Sequence, residues 1–281
     1  MRTPQFATRS VRFSAVPLLV MGVIGGVAPA ASAAAGRTGS TGPASLTTSS
    51  ALNGVAATSV SDGWAVGGIG SGALIEHWNG TAWKQVPSPA PAGSALSKVA
   101  TTSASNAWAV GSTGTSTSRK TLILRWNGKV WKRVPSPSPG TYSGLSGVAA
   151  TSADSAWAVG ATGSGIGPGK TMILRWNGTS WKQVPSPAPA SSVLSAVAAI
   201  SATSAWVVGY TITSTSGKTL ILRWNGTSWK QVPSPNPSAN ASLSSVATTS
   251  ADNAWAVGDT SNSSRTSSKS LILRWNGTAW K

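Results

Sequence analysis

Residues 221–237 read ILRWNGTSWKQVPSPNP, and close copies of this stretch occur five times along the chain of 281 residues. The fifteen tryptophans fall into three columns with one member per copy: before Ala/Val-Val-Gly, before Asn-Gly, and five residues after the second column. The columns are Trp64, Trp108, Trp157, Trp206 and Trp255; Trp78, Trp126, Trp176, Trp224 and Trp275; and Trp83, Trp131, Trp181, Trp229 and Trp280. A repeat of about 48 residues therefore organises the chain.

Each repeat contains four short segments, which in the copy that starts at Leu194 read LSAVAAIS, AWVVGY, KTLILRW and TSWKQV. Each segment is rich in β-branched or aromatic residues and is bounded by turn residues, which predicts a strand. None has the length or the periodicity of a helix. Four strands per repeat are typical of a propeller blade. We predict an all-β fold, a β-propeller of five blades with four antiparallel strands each, over residues 52–91, 96–139, 145–189, 194–237 and 243–281.

The Asn225-Gly226 pair predicts a two-residue hairpin turn, because a type I′ turn needs positive φ at both central residues. This turn would set Leu222 opposite Trp229 and place Trp224 and Trp229 on one apolar face. Since a buried tryptophan hides roughly 150–250 Å², we expect these pairs to form the core between blades, and exposed ligand platforms are the alternative. The residues predicted to be structural are Trp126, Trp131, Trp176, Trp181, Trp224, Trp229, Asn225 and Gly226.

Residues 1–33 have the layout of a secretory signal peptide, with three arginines, an apolar run over Val16–Val27 and Ala31-Ser32-Ala33 as the cleavage site. The apolar run is shorter than the about 20 residues that span a bilayer. We therefore expect a secreted, extracellular protein without a transmembrane anchor, with a flexible leader over residues 34–50 and the repeats over residues 51–281. The absence of cysteine argues against a disulfide scaffold.

The motifs Leu-x-x-Val-Ala-x-x-Ser, Trp-Ala-Val-Gly and Trp-Asn-Gly-Thr-x-Trp resemble the repeats of secreted bacterial β-propellers of the Asp-box and kelch-like kind. Ser152-Ala153-Asp154 and Ser250-Ala251-Asp252 match the Ser-x-Asp start of the Asp-box. Five repeats of this size are also similar in architecture to five-bladed tachylectin-type lectins. The resemblance implies membership of the β-propellers, and a likeness in architecture does not by itself establish a function.

The five acidic residues, Asp62, Glu76, Asp154, Asp252 and Asp259, are scattered over three repeats. Three of them stand in the turn before the first tryptophan column, where Asx side chains bond the local backbone. Glycoside hydrolysis needs two carboxylates that flank one bond, and metal sites need clustered acids, histidine or cysteine. We therefore expect no catalytic residues, no metal and no cofactor. We expect a non-catalytic binding or surface-interaction propeller. The second alternative is a structural or protein-interaction propeller without a small ligand, and the third is a polysaccharide hydrolase or lyase. The two tyrosines, Tyr142 and Tyr210, are expected in different loops.

The basic residues also fall into columns and give the chain a formal net charge of +17. A ring of cations beside variable loops would attract anionic polymers, and solvated surface charge or stacking of arginine on tryptophan are the structural alternatives. Since export and the absence of motifs make nucleic acid an unlikely partner, we expect a polysaccharide or anionic cell-wall polymer, with a protein partner as the alternative. The candidate ligand-binding residues are Lys120, Lys170, Lys218, Lys269, Arg125, Arg175, Arg223 and Arg274.

The fifth repeat stops at Trp280-Lys281, without the Gln-Val-Pro-Ser-Pro that follows in the other copies. Three alternatives stay open. The last outer strand is short, or residues 36–50 help to close the ring, or the chain is part of a larger propeller.

Overall fold

The computed structural model describes residues 49–164, 169–213, 216–264 and 266–281. The expected signal peptide and nearly all of the expected leader lie outside the described residues. Within the described ranges, all regular secondary structure is β-strand. None of the described residues belongs to a helix of the length and apolar character that a membrane span requires.

The strands follow the predicted order of four per repeat, and the last repeat has three. Their bounds in chain order are β1 (Ser50–Ser59), β2 (Asp62–Ile69), β3 (Gly72–Trp78), β4 (Trp83–Gln85), β5 (Ser94–Ser103), β6 (Asn106–Gly114), β7 (Arg119–Trp126), β8 (Trp131–Arg133), β9 (Tyr142–Ser152), β10 (Ser155–Gly163), β11 (Lys170–Trp176), β12 (Trp181–Val184), β13 (Ser192–Ser201), β14 (Ser204–Ile212), β15 (Gly217–Trp224), β16 (Trp229–Val232), β17 (Asn240–Ser250), β18 (Asn253–Ser261) and β19 (Ser268–Trp275).

The strands of each repeat pair antiparallel in chain order, and we call each such set a strand group. The second and third groups count as one eight-stranded sheet, because a single parallel pair, Arg119 with Tyr142, joins β7 to β9. In the fifth group an isolated bridge between Trp275 and Trp280 follows β19. Consecutive groups pack through their first strands, β1 on β5, β5 on β9, β9 on β13 and β13 on β17. The predicted all-β, antiparallel architecture is confirmed, whereas four sheets leave the number of blades a prediction.

The glycine of the Trp-Ala/Val-Val-Gly motif lies where the first two strands of a group come unusually close. The register between β13 and β14 shifts between Leu194 and Ala196, opposite Gly209. A Cβ atom built on Gly209 would lie 1.9 Å from the carbonyl oxygen of Val193. The same approach recurs at Gly67, Gly111, Gly160 and Gly258. Only glycine therefore fits beside this β-bulge.

The outer hairpin has a longer loop than the sequence predicted. Trp224 pairs with Trp229 and Leu222 with Gln231, so that residues 225–228 form the loop and the predicted two-residue register is wrong. The Asn225 side chain explains the difference, because its Oδ1 accepts hydrogen bonds from the backbone N–H groups of Thr227 and Ser228 at 3.0 and 2.9 Å. A shift of two residues preserves the faces, so Trp224 and Trp229 still share one side.

The hydrophobic core lies between consecutive strand groups, and we call each such interface a seam. Four apolar clusters fill the four seams. In one of them Trp157 and Ile173 of the third group pack with Leu194, Leu222 and Trp229 of the fourth. Each seam therefore joins one strand group to the next, and a group presents different residues to the group before it and to the group after it.

Candidate functional site

The tryptophans of the seams pack against one another in tilted or edge-to-face contacts. The ring of Trp157 lies 4.9 Å from that of Trp224 and 5.0 Å from that of Trp229, measured between centroids. The same arrangement of one first-column ring against two hairpin rings occurs in the other three seams. Trp131, Trp176, Trp181, Trp224 and Trp229 are buried, and Trp126 is half-buried. These six rings pack inside the protein and offer no open platform to a ligand.

The arginine column lies in the same seams. The guanidinium carbon of Arg175 is 5.2 Å from the ring centroid of Trp157 in its own group and 5.3 Å from that of Trp224 in the next. Its Nη2 donates to the carbonyl oxygen of Ala202 at 3.3 Å, and that oxygen also accepts the indole N–H of Trp224. Arg175 is therefore a clamp that joins two groups by cation–π contacts and a hydrogen bond.

Arg125 and Arg223 repeat these contacts in their own seams. In the first seam His77 takes the place of arginine, stacks on Trp64 at 4.2 Å and pairs with Asp62, with 2.8 Å between Nε2 and Oδ1. Arg274 stacks on Trp255 at 5.3 Å. Ligand binding by this column stays a prediction, and the contacts present are those of a structural element.

The lysine column is placed differently, at the end of the hairpins where the variable loops begin. Lys120, Lys170, Lys218 and Lys269 are all exposed, and each pairs across its hairpin with a threonine. Lys120 also donates to the carbonyl oxygen of Gly140 at 2.8 Å, in the connection to the next group. We call this end of the molecule the loop side, and the Asn-Gly loops lie at the opposite end of the same strands.

One cleft on the loop side contains a predicted residue. Lys170 lines a cleft of 450 Å³ together with Thr171, Gln183 and Ser186. The hydroxyl of Thr171 bonds that of Ser186 at 2.9 Å. An ammonium group, an amide and hydroxyl groups thus meet at an open surface, which is a chemistry suited to hydroxyl-rich or anionic ligands.

Two further clefts contain residues that sequence reasoning did not select. Arg119 and Tyr142 line a cleft of 260 Å³, and the guanidinium carbon lies 5.3 Å from the tyrosine ring centroid. Tyr210, Asn240 and Asp259 line another, of 570 Å³. The two tyrosines belong to strands β9 and β14 and not to loops, so that expectation was wrong. The available signal was their rarity, because the chain has only two tyrosines.

Two of the acidic side chains, Asp62 and Asp259, are held by hydrogen bonds. Thr58 and His77 bond Asp62, and Ser242 donates to Asp259 at 2.7 Å. Among the residues that the structure describes, no three His, Cys, Asp or Glu side chains come together as a metal site would require.

No protein-family model matches this chain, and no curated protein is similar to it in sequence. Among solved structures, YCF48 bound to D1 peptide has a TM-score of 0.52 and 15% identity, over 84% of this chain and 67% of that chain. YCF48 from Cyanidioschyzon merolae has a TM-score of 0.38 and 18% identity, over 84% of this chain and 86% of that chain. A GH74 xyloglucanase from Xanthomonas campestris has a TM-score of 0.42 and 12% identity, over 82% of this chain and 43% of that chain. The first likeness and the repeated antiparallel groups together establish the β-propeller fold.

Proposed function

We propose that this chain is a secreted, non-catalytic binding propeller of five blades that attaches to an anionic glycan or cell-envelope polymer through its loop side. The observation that carries the proposal is the placement of Lys120, Lys170, Lys218 and Lys269. All four are exposed at equivalent positions of successive groups, on the side that carries the variable loops. A polymer with repeated charges would contact several of them at once, and weak equivalent contacts add up through multivalency.

The remaining cations strengthen the attraction without a contact of their own. Of the 22 Lys and Arg of the chain, 19 lie outside the expected signal peptide, against 5 Asp and Glu, so the field of the secreted protein draws in polyanions from a distance. The arginine column is engaged in the seams and the internal tryptophans pack in the core, so the lysine column and the clefts are the groups that the loop side offers to a ligand. The hydroxyl and amide groups around Lys170 fit the hydroxyls of a sugar.

Binding of a polypeptide is the second candidate. The YCF48 structure with the same fold holds a D1 peptide, and the 570 Å³ cleft at Tyr210 and Asn240 is lined by an aromatic ring and an amide. A peptide of acidic character would use the same lysines as an anionic glycan. The two candidate functions therefore differ in whether the ligand has a polysaccharide or a polypeptide backbone, and they agree on its negative charge.

The test is binding of the purified protein to polygalacturonate, neutral dextran and polyglutamate, at low salt and at physiological salt. We expect polygalacturonate to bind best, and its affinity to fall with salt because exposed charges are screened over about 8–10 Å. Replacing the four lysines Lys120, Lys170, Lys218 and Lys269 by glutamine should weaken binding by about 30-fold, from roughly 0.5 kcal/mol per exposed pair.

The matched control replaces Lys84, Lys132, Lys182 and Lys230, which are also exposed but lie beside the Asn-Gly loops. This variant has the same net charge as the test variant and should lose only a few-fold in affinity. Equal losses in the two variants would show that net charge alone drives binding. Tighter binding of polyglutamate would favour the peptide candidate, and release of new reducing ends from any polysaccharide would refute the non-catalytic assignment.

A further inference from the structure

The last strand group presents an uncovered apolar face, which we call the tail face and define by Trp255, Ile272 and Arg274. Trp255 is 44% exposed, whereas the other four tryptophans of its column are at most 1% exposed. Ile272 is 62% exposed, whereas its equivalents Ile75, Ile123, Ile173 and Ile221 are fully buried. In the four seams these positions are covered by the following group.

The first strand group presents a second uncovered face, which we call the head face and define by Leu52, Val55 and Trp83. Leu52 is 52% and Trp83 44% exposed. Their equivalents in the other groups are buried against the preceding group, as Leu194 and Trp229 are in the third seam. The head face therefore lacks what a preceding group supplies.

The two faces are the two halves of one seam. Each internal seam takes a tryptophan and an isoleucine from the group before it, at the positions of Trp255 and Ile272. It takes a leucine, a valine and a tryptophan from the group after it, at the positions of Leu52, Val55 and Trp83. A tail face placed on a head face would therefore repeat an interface that this chain already forms four times.

Arg274 is already in position to form such a seam. It stacks on Trp255 as Arg175 stacks on Trp157. The other arginines of the column also reach a hairpin tryptophan and a turn carbonyl of the following group. The head face offers both, because the indole of Trp78 is half-buried and donates to the carbonyl oxygen of Val60, in the arrangement seen at Trp224 and Ala202.

The head face differs from its equivalents at one position. Glu76 stands where Leu124, Leu174, Leu222 and Leu273 are buried in the seams. It lies on the same strand face as Trp78, the ring that Arg274 would contact, so one carboxylate would enter the new seam beside one guanidinium. Because a charged group is costly to bury even when paired, this seam should be weaker than the internal ones and therefore reversible.

We propose that two copies of this chain associate head to tail, with the tail face of one copy on the head face of the other. A second copy is the occupant because its head face carries the leucine, valine and tryptophan that cover a tail face in the internal seams. Residues 1–48 contain no tryptophan, although every internal seam takes tryptophan from both sides. Such a contact is heterologous, so it closes into a ring or continues as a filament according to the rotation between copies.

The experiment measures the mass of the purified protein by sedimentation between about 1 and 100 µM, a range in which interfaces of modest affinity dissociate. Wild type should increase in mass with concentration. Trp255→Lys blocks the tail face and Trp83→Lys blocks the head face, and each should weaken self-association by about 30-fold or more, as expected for a central aromatic residue of an interface.

Mixing the two variants distinguishes the proposed geometry from any other association. Each variant retains the intact face that the other lacks, so an equimolar mixture should form a dimer and nothing larger. Val130→Lys is the matched control, since Val130 is an exposed apolar residue in an Asn-Gly loop, outside both faces. This control should self-associate as wild type does, and all three variants should retain the thermal midpoint of wild type within a few degrees.

Three results would overturn the proposal. The first is wild type that stays monomeric to 100 µM, which would mean that the faces are covered within one chain. The second is self-association of Trp255→Lys at wild-type strength, because two head faces would then suffice. The third is a mixture of the two variants that stays monomeric although each variant is folded by circular dichroism.

Discussion

The seams and the loop side both contain a column of basic residues, which is packed in the seams and exposed on the loop side. Arg175 and Lys170 are five residues apart on strand β11, yet the guanidinium is held between two indole rings and the ammonium is exposed. The seam residues recur in almost every copy, whereas the loops beside the lysines differ in length and sequence. Repetition here marks what every blade needs in order to pack, and variation marks where surfaces are free to differ.

The largest effect is expected when a seam loses its central ring. Trp157 is fully buried and touches Trp224 and Trp229 of the next group. Trp157→Ala should lower the free energy of unfolding by about 3–5 kcal/mol, the usual result for a buried aromatic residue. Denaturant unfolding followed by tryptophan fluorescence measures the change.

Trp255→Ala is the comparison within the same column. Trp255 has the same local sequence but lies on the exposed tail face, with Arg274 stacked on it. Measured at a concentration where the protein is monomeric, this substitution should cost less than half of what Trp157→Ala costs. Equal losses would show that the tail face is covered within a single chain.

The second effect concerns the backbone of the sheet that supports each seam. Gly209→Ala would push a Cβ atom to 1.9 Å from the Val193 carbonyl oxygen, so β13 and β14 would have to move apart. We expect a loss of about 3 kcal/mol in the free energy of unfolding, at the upper end of the cost of overpacking.

The matched glycine lies on the loop side. A Cβ atom on Gly217 would meet the Ala241 carbonyl oxygen at 3.6 Å, an ordinary contact, so Gly217→Ala should change stability by no more than about 0.5 kcal/mol. Thermal and denaturant unfolding of the two variants make the comparison. A similar loss in both would mean that the bulge at Gly209 relaxes without cost.

The sequence located the strands well because periodicity and turn residues are local signals. The segment KTLILRW, for example, lies within β15 (Gly217–Trp224). It failed on the outer hairpin, since Asn-Gly favours a two-residue turn whereas the Asn225 side chain bonds the backbone of Thr227 and Ser228. The sequence also did not separate Trp157 from Trp255, because their local sequences agree and burial depends on which strand group packs on each ring in the structure. The arginine clamps were one structural alternative, but their carbonyl acceptors lie in the next repeat, and no local pattern reports that contact.

The smallest effect on stability is expected when a basic side chain is replaced, and it should differ between Arg175 and Lys170. Arg175→Gln removes two cation–π contacts and the hydrogen bond to Ala202, and should lower the free energy of unfolding by about 1–2 kcal/mol. Lys170→Gln removes the same charge from the same strand but no packed neighbour, and should stay within about 0.5 kcal/mol of wild type.

Binding should rank the same two variants in the opposite order. Lys170→Gln removes one of the four accessible cations of the loop side, which corresponds to a loss of about two- to threefold in affinity for polygalacturonate from roughly 0.5 kcal/mol. Arg175→Gln should bind as wild type does under conditions where it is folded, because the seam already holds its guanidinium. If folded Arg175→Gln lost more affinity than Lys170→Gln, the ligand would contact the seam. The assignment of a structural role to the arginine column and of ligand binding to the lysine column would then be wrong.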